Sequence, residues 1–122
     1  MPNINRDDFR YLLDKQDIKV KNYPSEAQVQ LSIIKFLRMK GFACGKIKTK
    51  PLILNGKFIR DKYLMVGTPD LIIFTPTKMY FCEVKSAKGV LSDDQKFFME
   101  LCTRVGITYI IARDIKDVEC II

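Results

Sequence analysis

The chain has 122 residues, of which 48% are hydrophobic and 29% charged, and its net charge at pH 7 is +7. This length and composition predict one globular domain, residues 1–122, that buries its own apolar core. The absence of histidine excludes a histidine base, a Ser-His-Asp triad and histidine metal ligands. The positive charge favours a polyanionic partner such as nucleic acid, with a surface that only aids solubility as the alternative.

The four cysteines are Cys44, Cys82, Cys102 and Cys120, and none belongs to a C-x-x-C pair, which argues against a zinc ribbon. Cys82 and Cys102 fall on apolar faces of predicted elements, so we interpret them as core residues. No stretch is typical of a signal peptide or a membrane span. We therefore expect a cytoplasmic protein with reduced thiols and no membrane partner.

The first 22 residues are predicted to form an N-terminal arm. A short helix over about residues 6–16 carries an apolar stripe, and Asn5 precedes it as a cap. A polar connector then leads into the rest of the chain.

The next helix is predicted to begin after Ser25. Ser25 and Gln28 match the capping-box pattern, apolar residues follow at helical spacing, and Gly41 ends the helix. Glu26 lies in the first turn, where a carboxylate compensates the positive end of the helix dipole.

Residues 43–66 are predicted to form strands and to carry much of the positive charge. Leu52–Leu54 and Lys57–Ile59 flank Asn55-Gly56, a pair typical of the type I′ turn of a β-hairpin. Six basic residues against Asp61 give this segment +5 of the chain's +7, namely Lys46, Lys48, Lys50, Lys57, Arg60 and Lys62. All of these except Lys62, together with Lys88, are candidate contacts to a nucleic-acid backbone; lysines that only protect a solvated edge strand are the alternative.

A second hairpin is predicted over residues 70–84, with Pro76 in its turn. Folding it symmetrically about Pro76 and Thr77 gives paired residue numbers that sum to 153. Asp70 is then opposite Glu83, with Cβ atoms about 5 Å apart on one face. Lys85 lies two residues beyond Glu83 and shares that face.

Two opposed carboxylates repel each other, and a divalent cation removes that repulsion. Mg²⁺ takes oxygen ligands and commonly uses one or two carboxylates together with substrate phosphate. A lysine on the same face can orient a water or stabilise charge on a phosphoryl group. The pattern therefore indicates metal-assisted hydrolysis of a phosphodiester.

A third helix is predicted to begin after Ser92, with a stripe at Phe97, Phe98, Leu101, Cys102 and Val105. Gln95 is the third residue after Ser92, so it completes a second capping box. Gly106 ends the helix. Residues 108–112 are predicted to form a buried strand parallel to the strand before Lys85.

Four stretches resemble the PD-(D/E)XK nuclease superfamily, and within it the VRR-NUC (virus-type replication-repair nuclease) family. They are Ser25-Glu26-Ala27-Gln28, Gly67-Thr68-Pro69-Asp70-Leu71, Glu83-Val84-Lys85 and Leu91-Ser92-Asp93-Asp94-Gln95. The resemblance covers residues 24–113. It implies an α+β domain with a restriction-endonuclease-like αβββαβ core, in which helices flank a mixed central sheet.

The resemblance also implies a set of site residues. The implied catalytic residues are Glu26, Asp70, Glu83, Lys85 and Gln95. The implied ligands of Mg²⁺ or Mn²⁺ are Asp70, Glu83 and the carbonyl of Val84. Glu26 would reach the ion through water, with dipole compensation as its alternative role. Lys85 would align the attacking water, and Gln95 would steady Lys85 or the phosphate unless it only caps its helix.

The activity implied by the resemblance is that of a metal-dependent DNA endonuclease that selects branched DNA such as flaps or Holliday junctions. An archaeal-type Holliday junction resolvase and a non-catalytic nucleic-acid-binding module on the same fold are the alternatives. Two coordinated cuts in a junction need two sites, so we expect a symmetric homodimer. Ile4, Phe9 and Leu13 of the arm are its candidate interface, unless they pack on their own domain.

Overall fold

The structure is a computed structural model that describes residues 24–47, 52–59 and 61–121. The predicted N-terminal arm, with its candidate interface residues, lies outside the described residues. The helices are α1 (Glu26–Met39), α2 (Asp93–Val105) and α3 (Lys116–Glu119). The strands are β1 (Ala43–Lys46), β2 (Leu52–Leu54), β3 (Lys57–Ile59), β4 (Leu71–Phe74), β5 (Met79–Val84) and β6 (Thr108–Ala112).

A four-stranded mixed sheet in the order β1-β4-β5-β6 forms the centre of the domain. The pairs β1–β4 and β4–β5 are antiparallel, and β5–β6 is parallel. Strands β2 and β3 form a separate two-stranded hairpin. The chain order α1, β1, β4, β5, α2, β6 confirms the predicted αβββαβ core.

The main apolar core lies on one face of this sheet. Helix α1 contributes Ile33 and Leu37, which contact inward residues of β4 and β5 such as Ile73 and Cys82, and Val118 of α3 closes the same cluster. Cys82 and Cys102 are both buried, as predicted. The side chains at the intervening positions of each strand point to the other face, where α2 packs.

Helix α2 covers that second face through a few aromatic contacts. The ring of Phe98 meets the ring of Phe81 in an edge-to-face arrangement at 5.3 Å between centroids. The predicted stripe is narrower than expected, because Phe97 and Val105 are exposed and only Phe98 and Cys102 of its members are buried. The helix therefore rests on the sheet along one narrow line.

The register of the β4–β5 hairpin is the predicted one. Leu71 pairs with Cys82 and Phe74 with Met79, and both pairs have residue numbers that sum to 153. The turn is closed by Thr75, whose N–H donates to the Lys78 carbonyl at 2.9 Å. Turn chemistry at one end of the hairpin thus determines which residues meet at the other end.

The local signals at the other elements are also confirmed. Ser25 with Gln28 and Ser92 with Gln95 each form a complete capping box. Asn55 and Gly56 have φ values of 51° and 74°, as a type I′ turn requires. Within the part of the chain that the structure describes, no helix has the length and apolar character needed to cross a membrane.

The prediction that residues 108–112 form a buried strand was wrong in one respect. The strand exists and is parallel to β5, but of its residues only Ala112 is buried, and Thr108 and Ile111 are exposed. The reason is position, because β6 is the edge strand of the sheet. An apolar run alone does not distinguish an edge strand from a central one.

Gly67 allows the chain before β4 to lie directly against the first turn of α2. Its φ is +73°, and a Cβ at this position would overlap the Asp94 carbonyl and lie 2.8 Å from the Gln95 nitrogen. Only glycine fits such a contact without moving one of the two main chains. Gly67 therefore sets the distance between the segment that carries Asp70 and the helix that carries Gln95.

We predict that Gly67→Ala destabilises the fold more than Gly41→Ala does. Gly41 has a similar φ of +88°, but a Cβ there meets nothing within 4 Å. The Gly41 variant should lose about 1 kcal/mol from backbone strain alone, and the Gly67 variant about 1–3 kcal/mol more from overlap. Urea denaturation measures both free energies of unfolding, and equal losses would contradict the close contact.

Candidate active site

Asp70 and Glu83 stand opposite each other where β4 begins and β5 ends. The pairing of Leu71 with Cys82, continued by one residue, places them as predicted. The Asp70 carbonyl accepts a hydrogen bond from the Ile47 N–H at 3.1 Å, so its main chain is held from β1. Its side-chain Oδ2 accepts from the Val84 N–H at 2.9 Å, so its carboxylate is held from β5.

Glu83 is a buried carboxylate with 1% of its surface exposed. Its Oε1 accepts a hydrogen bond from the Gln95 amide at 2.8 Å and lies 3.9 Å from the Lys85 ammonium. A carboxylate buried without such partners would cost several kcal/mol. The ammonium and the amide therefore stabilise the charged form of Glu83 from one side.

Gln95 joins helix α2 to this carboxylate. Its Oε1 accepts from the Ser92 N–H at 2.9 Å, which completes the capping box, while its Nε2 donates to Glu83. In the sequence, the cap and the site role of Gln95 are alternatives. The structure shows that a cap and a contact with Glu83 are compatible, because they use opposite ends of one amide.

The main chain at Val84 also faces the carboxylate pair. The Lys85 N–H donates to the Ala112 carbonyl of β6 at 3.0 Å. In a trans peptide the preceding C=O points the opposite way, so the Val84 carbonyl is directed away from β6, to the side on which Asp70 lies. Asp70, Glu83 and the Val84 carbonyl thus lie together at one end of β5.

Glu26 reaches the same region from the start of α1. Its Oε1 accepts from the Ser86 N–H at 3.3 Å, one residue beyond Lys85. The described contact is therefore with the main chain after Lys85, and the position in the first turn of α1 also permits dipole compensation. Both predicted roles of Glu26 are compatible with this placement.

The oxygen donors at this end of β5 fit a hard divalent cation. Among the described residues, no group of three or more His, Cys, Asp or Glu side chains is placed to hold a metal. The donor set at this end of β5 is smaller: the carboxylates of Asp70 and Glu83 and the carbonyl of Val84. Mg²⁺ is often bound by one or two carboxylates and keeps several waters. Burial raises the pKa of the Cys44 thiol to about 11 and raises that of Cys82 as well, so thiolate ligands are disfavoured.

Tyr109 is a polar residue near this site that the sequence did not indicate. It pairs with Phe81 across β5–β6, and its hydroxyl is buried without a hydrogen-bond partner among the described residues. Burial first and the charge of Glu83 second raise its pKa, so the phenol stays protonated. In the sequence it is indistinguishable from the apolar residues of its strand.

The candidate nucleic-acid contacts are only partly described. Lys46, Lys57 and Lys88 are exposed, whereas Lys48, Lys50 and Arg60 lie outside the described residues. Lys46 ends β1 opposite Leu71, next to Asp70, and Lys88 follows Lys85 by three residues. Lys57 lies on the separate β2–β3 hairpin.

Comparisons with known proteins show similarity at the level of family and fold. A family model described as "VRR-NUC domain" matches residues 54–114, which are 61 of the 122 residues. The chain is similar to a solved structure titled "VRR_NUC domain", with a TM-score of 0.57 and 20% identity, over 80% of this chain and 95% of that chain. At this identity the likeness shows the fold. None of the curated proteins compared with the chain matches it.

We predict that Gln95→Glu is much more destabilising than Gln28→Glu. Both side chains accept from the N–H of their capping serine, and glutamate preserves that acceptor. Only Gln95 also donates to Glu83, so its replacement removes a donor and adds a like charge beside a buried carboxylate. We expect a loss of about 2–3 kcal/mol for Gln95→Glu and a smaller loss for Gln28→Glu in chemical denaturation. Similar losses would show that Gln95 is only a cap.

Proposed function

The chain belongs to the VRR-NUC family, which has a nuclease-type fold, and from this premise we propose that it is a metal-dependent deoxyribonuclease. In this proposal it hydrolyses phosphodiester bonds within branched DNA. The observation that carries the proposal is the arrangement at the end of β5, where Asp70 and Glu83 are opposed and Lys85 lies 3.9 Å from Glu83 Oε1.

Asp70, Glu83 and the Val84 carbonyl would hold Mg²⁺ or Mn²⁺, and Glu26 would act through water. A bound divalent cation supplies Lewis-acid stabilisation of the negative charge that develops on phosphate oxygens. The Val84 N–H orients the carboxylate of Asp70, and Gln95 orients that of Glu83. Both carboxylates are thus fixed before any ligand arrives, which reduces the reorganisation needed during the reaction.

Lys85 is the candidate for orienting the attacking water. Its side chain is 14% exposed, so it is largely packed but not sealed from solvent. An ammonium donates up to three hydrogen bonds. It can therefore contact Glu83 and still donate to a water or to a phosphoryl oxygen.

Exposed lysines would supply the affinity for DNA. Lys46 lies on β1 beside Asp70, Lys88 follows Lys85 by three residues, and Lys57 lies on the β2–β3 hairpin. Contacts between lysines and phosphates position DNA without reading its bases. The arrangement therefore supports selection of DNA by shape.

We predict that Asp70→Asn reduces cleavage by about a thousandfold or more, since metal-assisted catalysis supplies several kcal/mol. The variant should lose the rise in melting temperature that Mg²⁺ causes in the wild type, while DNA affinity without metal changes less than about threefold. A panel of linear, flap, splayed and four-way DNA measures cleavage, and differential scanning fluorimetry measures the Mg²⁺ effect.

Glu100→Gln is the control for this experiment, because Glu100 is exposed and pairs only with Arg104 in the described contacts. It should behave like the wild type. A wild-type chain that binds DNA but neither cleaves it nor responds to Mg²⁺ would support the non-catalytic module instead.

We also propose that the protein acts as a homodimer, because one such site cuts one strand and a junction needs two cuts. The interface proposed among the described residues is a set of exposed apolar residues on β2, β3 and the segment 63–66, here called the hairpin surface. Its members are all exposed, namely Ile53, Leu54, Phe58, Ile59, Tyr63, Leu64, Met65 and Val66. Large contiguous apolar surfaces are unusual on monomers and are typical of protein interfaces.

We predict that Phe58→Asp converts a dimeric wild type into a monomer in light scattering. Phe58 is 73% exposed, so a charge there should leave the fold of the monomer intact. Val105→Asp is the control, since Val105 is 71% exposed but lies on α2, outside the hairpin surface. A wild type that is monomeric both free and on a four-way junction would refute the dimer.

A further inference from the structure

Arg113 binds the loop that follows Lys85. Its Nη1 donates to the carbonyls of Ser86 and Gly89, both at 2.6 Å, and lies 3.5 Å from the carbonyl of Ala87. Residues 86–89 are called the 86–89 loop below. The Arg113 main chain is fixed independently, because its N–H donates to Asp117 Oδ2 at 2.8 Å.

Two other elements hold the same stretch of chain. The Lys85 N–H is bonded to the Ala112 carbonyl, the residue before Arg113. The Ser86 N–H donates to Glu26 at the start of α1. The loop also closes on itself, because the Gly89 N–H donates to the Ser86 carbonyl at 3.1 Å. Lys85 thus lies between a β-ladder and a loop whose shape depends on Arg113.

Three carbonyl oxygens that point toward one place repel each other unless a donor lies between them. A guanidinium is suited to this position because it is planar, always charged and carries five donors in fixed directions. Hydrogen bonds from a charged donor are roughly twice as strong as neutral ones. All the described contacts with the loop carbonyls are made by Nη1, whose two N–H groups have fixed directions in the guanidinium plane, whereas the ammonium of a lysine lies on a flexible stem.

We infer that Arg113 is a positioning residue for Lys85 and Glu26. By holding the carbonyls of the 86–89 loop, it fixes the Ser86 N–H where Glu26 binds it and limits the orientations of the main chain from which the Lys85 side chain extends. This role rests on the proposed nuclease function. It requires no contact between Arg113 and DNA.

The test compares Arg113→Ala and Arg113→Lys with Arg104→Ala, which removes an arginine that pairs with Glu100 on the surface of α2. Hydrogen–deuterium exchange measured by mass spectrometry reports on the peptide that contains residues 86–90. Steady-state cleavage of the best DNA from the panel gives kcat and KM. Circular dichroism verifies that each variant is folded, and Arg113→Lys serves if the alanine variant does not fold.

We expect Arg113→Ala to speed exchange in the 86–89 loop at least tenfold, with β4 and β5 unchanged. The value of kcat should fall at least tenfold while KM changes less than threefold, Arg113→Lys should be intermediate, and Arg104→Ala should match the wild type. Faster exchange with unchanged kcat would overturn the positioning role, and so would unchanged exchange. A higher KM with unchanged kcat would overturn it in favour of a DNA contact.

The experiment distinguishes failure of the proposed nuclease function from failure of the role of Arg113 alone. A wild-type chain that cleaves no DNA in the panel would refute the nuclease and the role of Arg113 together. A wild type that cleaves and an Arg113→Ala variant with the same kcat would refute only the role of Arg113.

Discussion

The burial of the Glu83 carboxylate is the constraint on which the rest of the site depends. With 1% of its surface exposed, this group can be ionised only if nearby donors replace the water that it has lost. Gln95 and Lys85 both contact its Oε1. Gln95 lies on α2, and Lys85 directly follows β5, the strand that carries Glu83. The charge of Glu83 therefore requires that α2 packs over the sheet and that the chain continues from β5 to Lys85.

The mixed sheet makes this arrangement possible. Antiparallel pairing of β4 with β5 brings Asp70 opposite Glu83. Because β5 lies between β4 and β6, its peptide groups alternate between these two neighbouring strands. The Lys85 N–H turns to β6, so the Val84 peptide groups turn to Asp70. A sheet that was antiparallel throughout would lack the crossover that carries α2, and with it the Gln95 amide.

Features set by short-range chemistry were predictable from the sequence. The proline turn determined the register that brings Asp70 and Glu83 together, and Asn55-Gly56 and the two capping serines marked the other local structures. The family motifs added the choice of Glu83-Val84-Lys85 as the strand end that matters. What failed was burial, because the exposure of Phe97 and of β6 depends on where each element lies in the sheet.

The contacts made by Gly67, Tyr109 and Arg113 could not have been predicted for the same reason. Each depends on two segments distant in sequence meeting at a particular spacing. Gly67 looks like a turn residue until its contact with Asp94 is seen, and Arg113 looks like a solvated residue after a strand. Gln95 was predicted as a cap or as a residue that steadies Lys85 or the phosphate; the structure shows the cap, and the other end of the amide contacts Glu83.

The double use of Gln95 has a thermodynamic consequence. Because one amide completes the first turn of α2 and also binds Glu83, the opening of that turn and the charge state or occupancy of the carboxylate are linked equilibria. Linkage is reciprocal: a ligand that binds at Glu83 more tightly when the amide contact is intact disfavours fraying of the helix, by the same free energy by which an intact helix start strengthens that binding. The first turn of helix α2 therefore reports the state of Glu83.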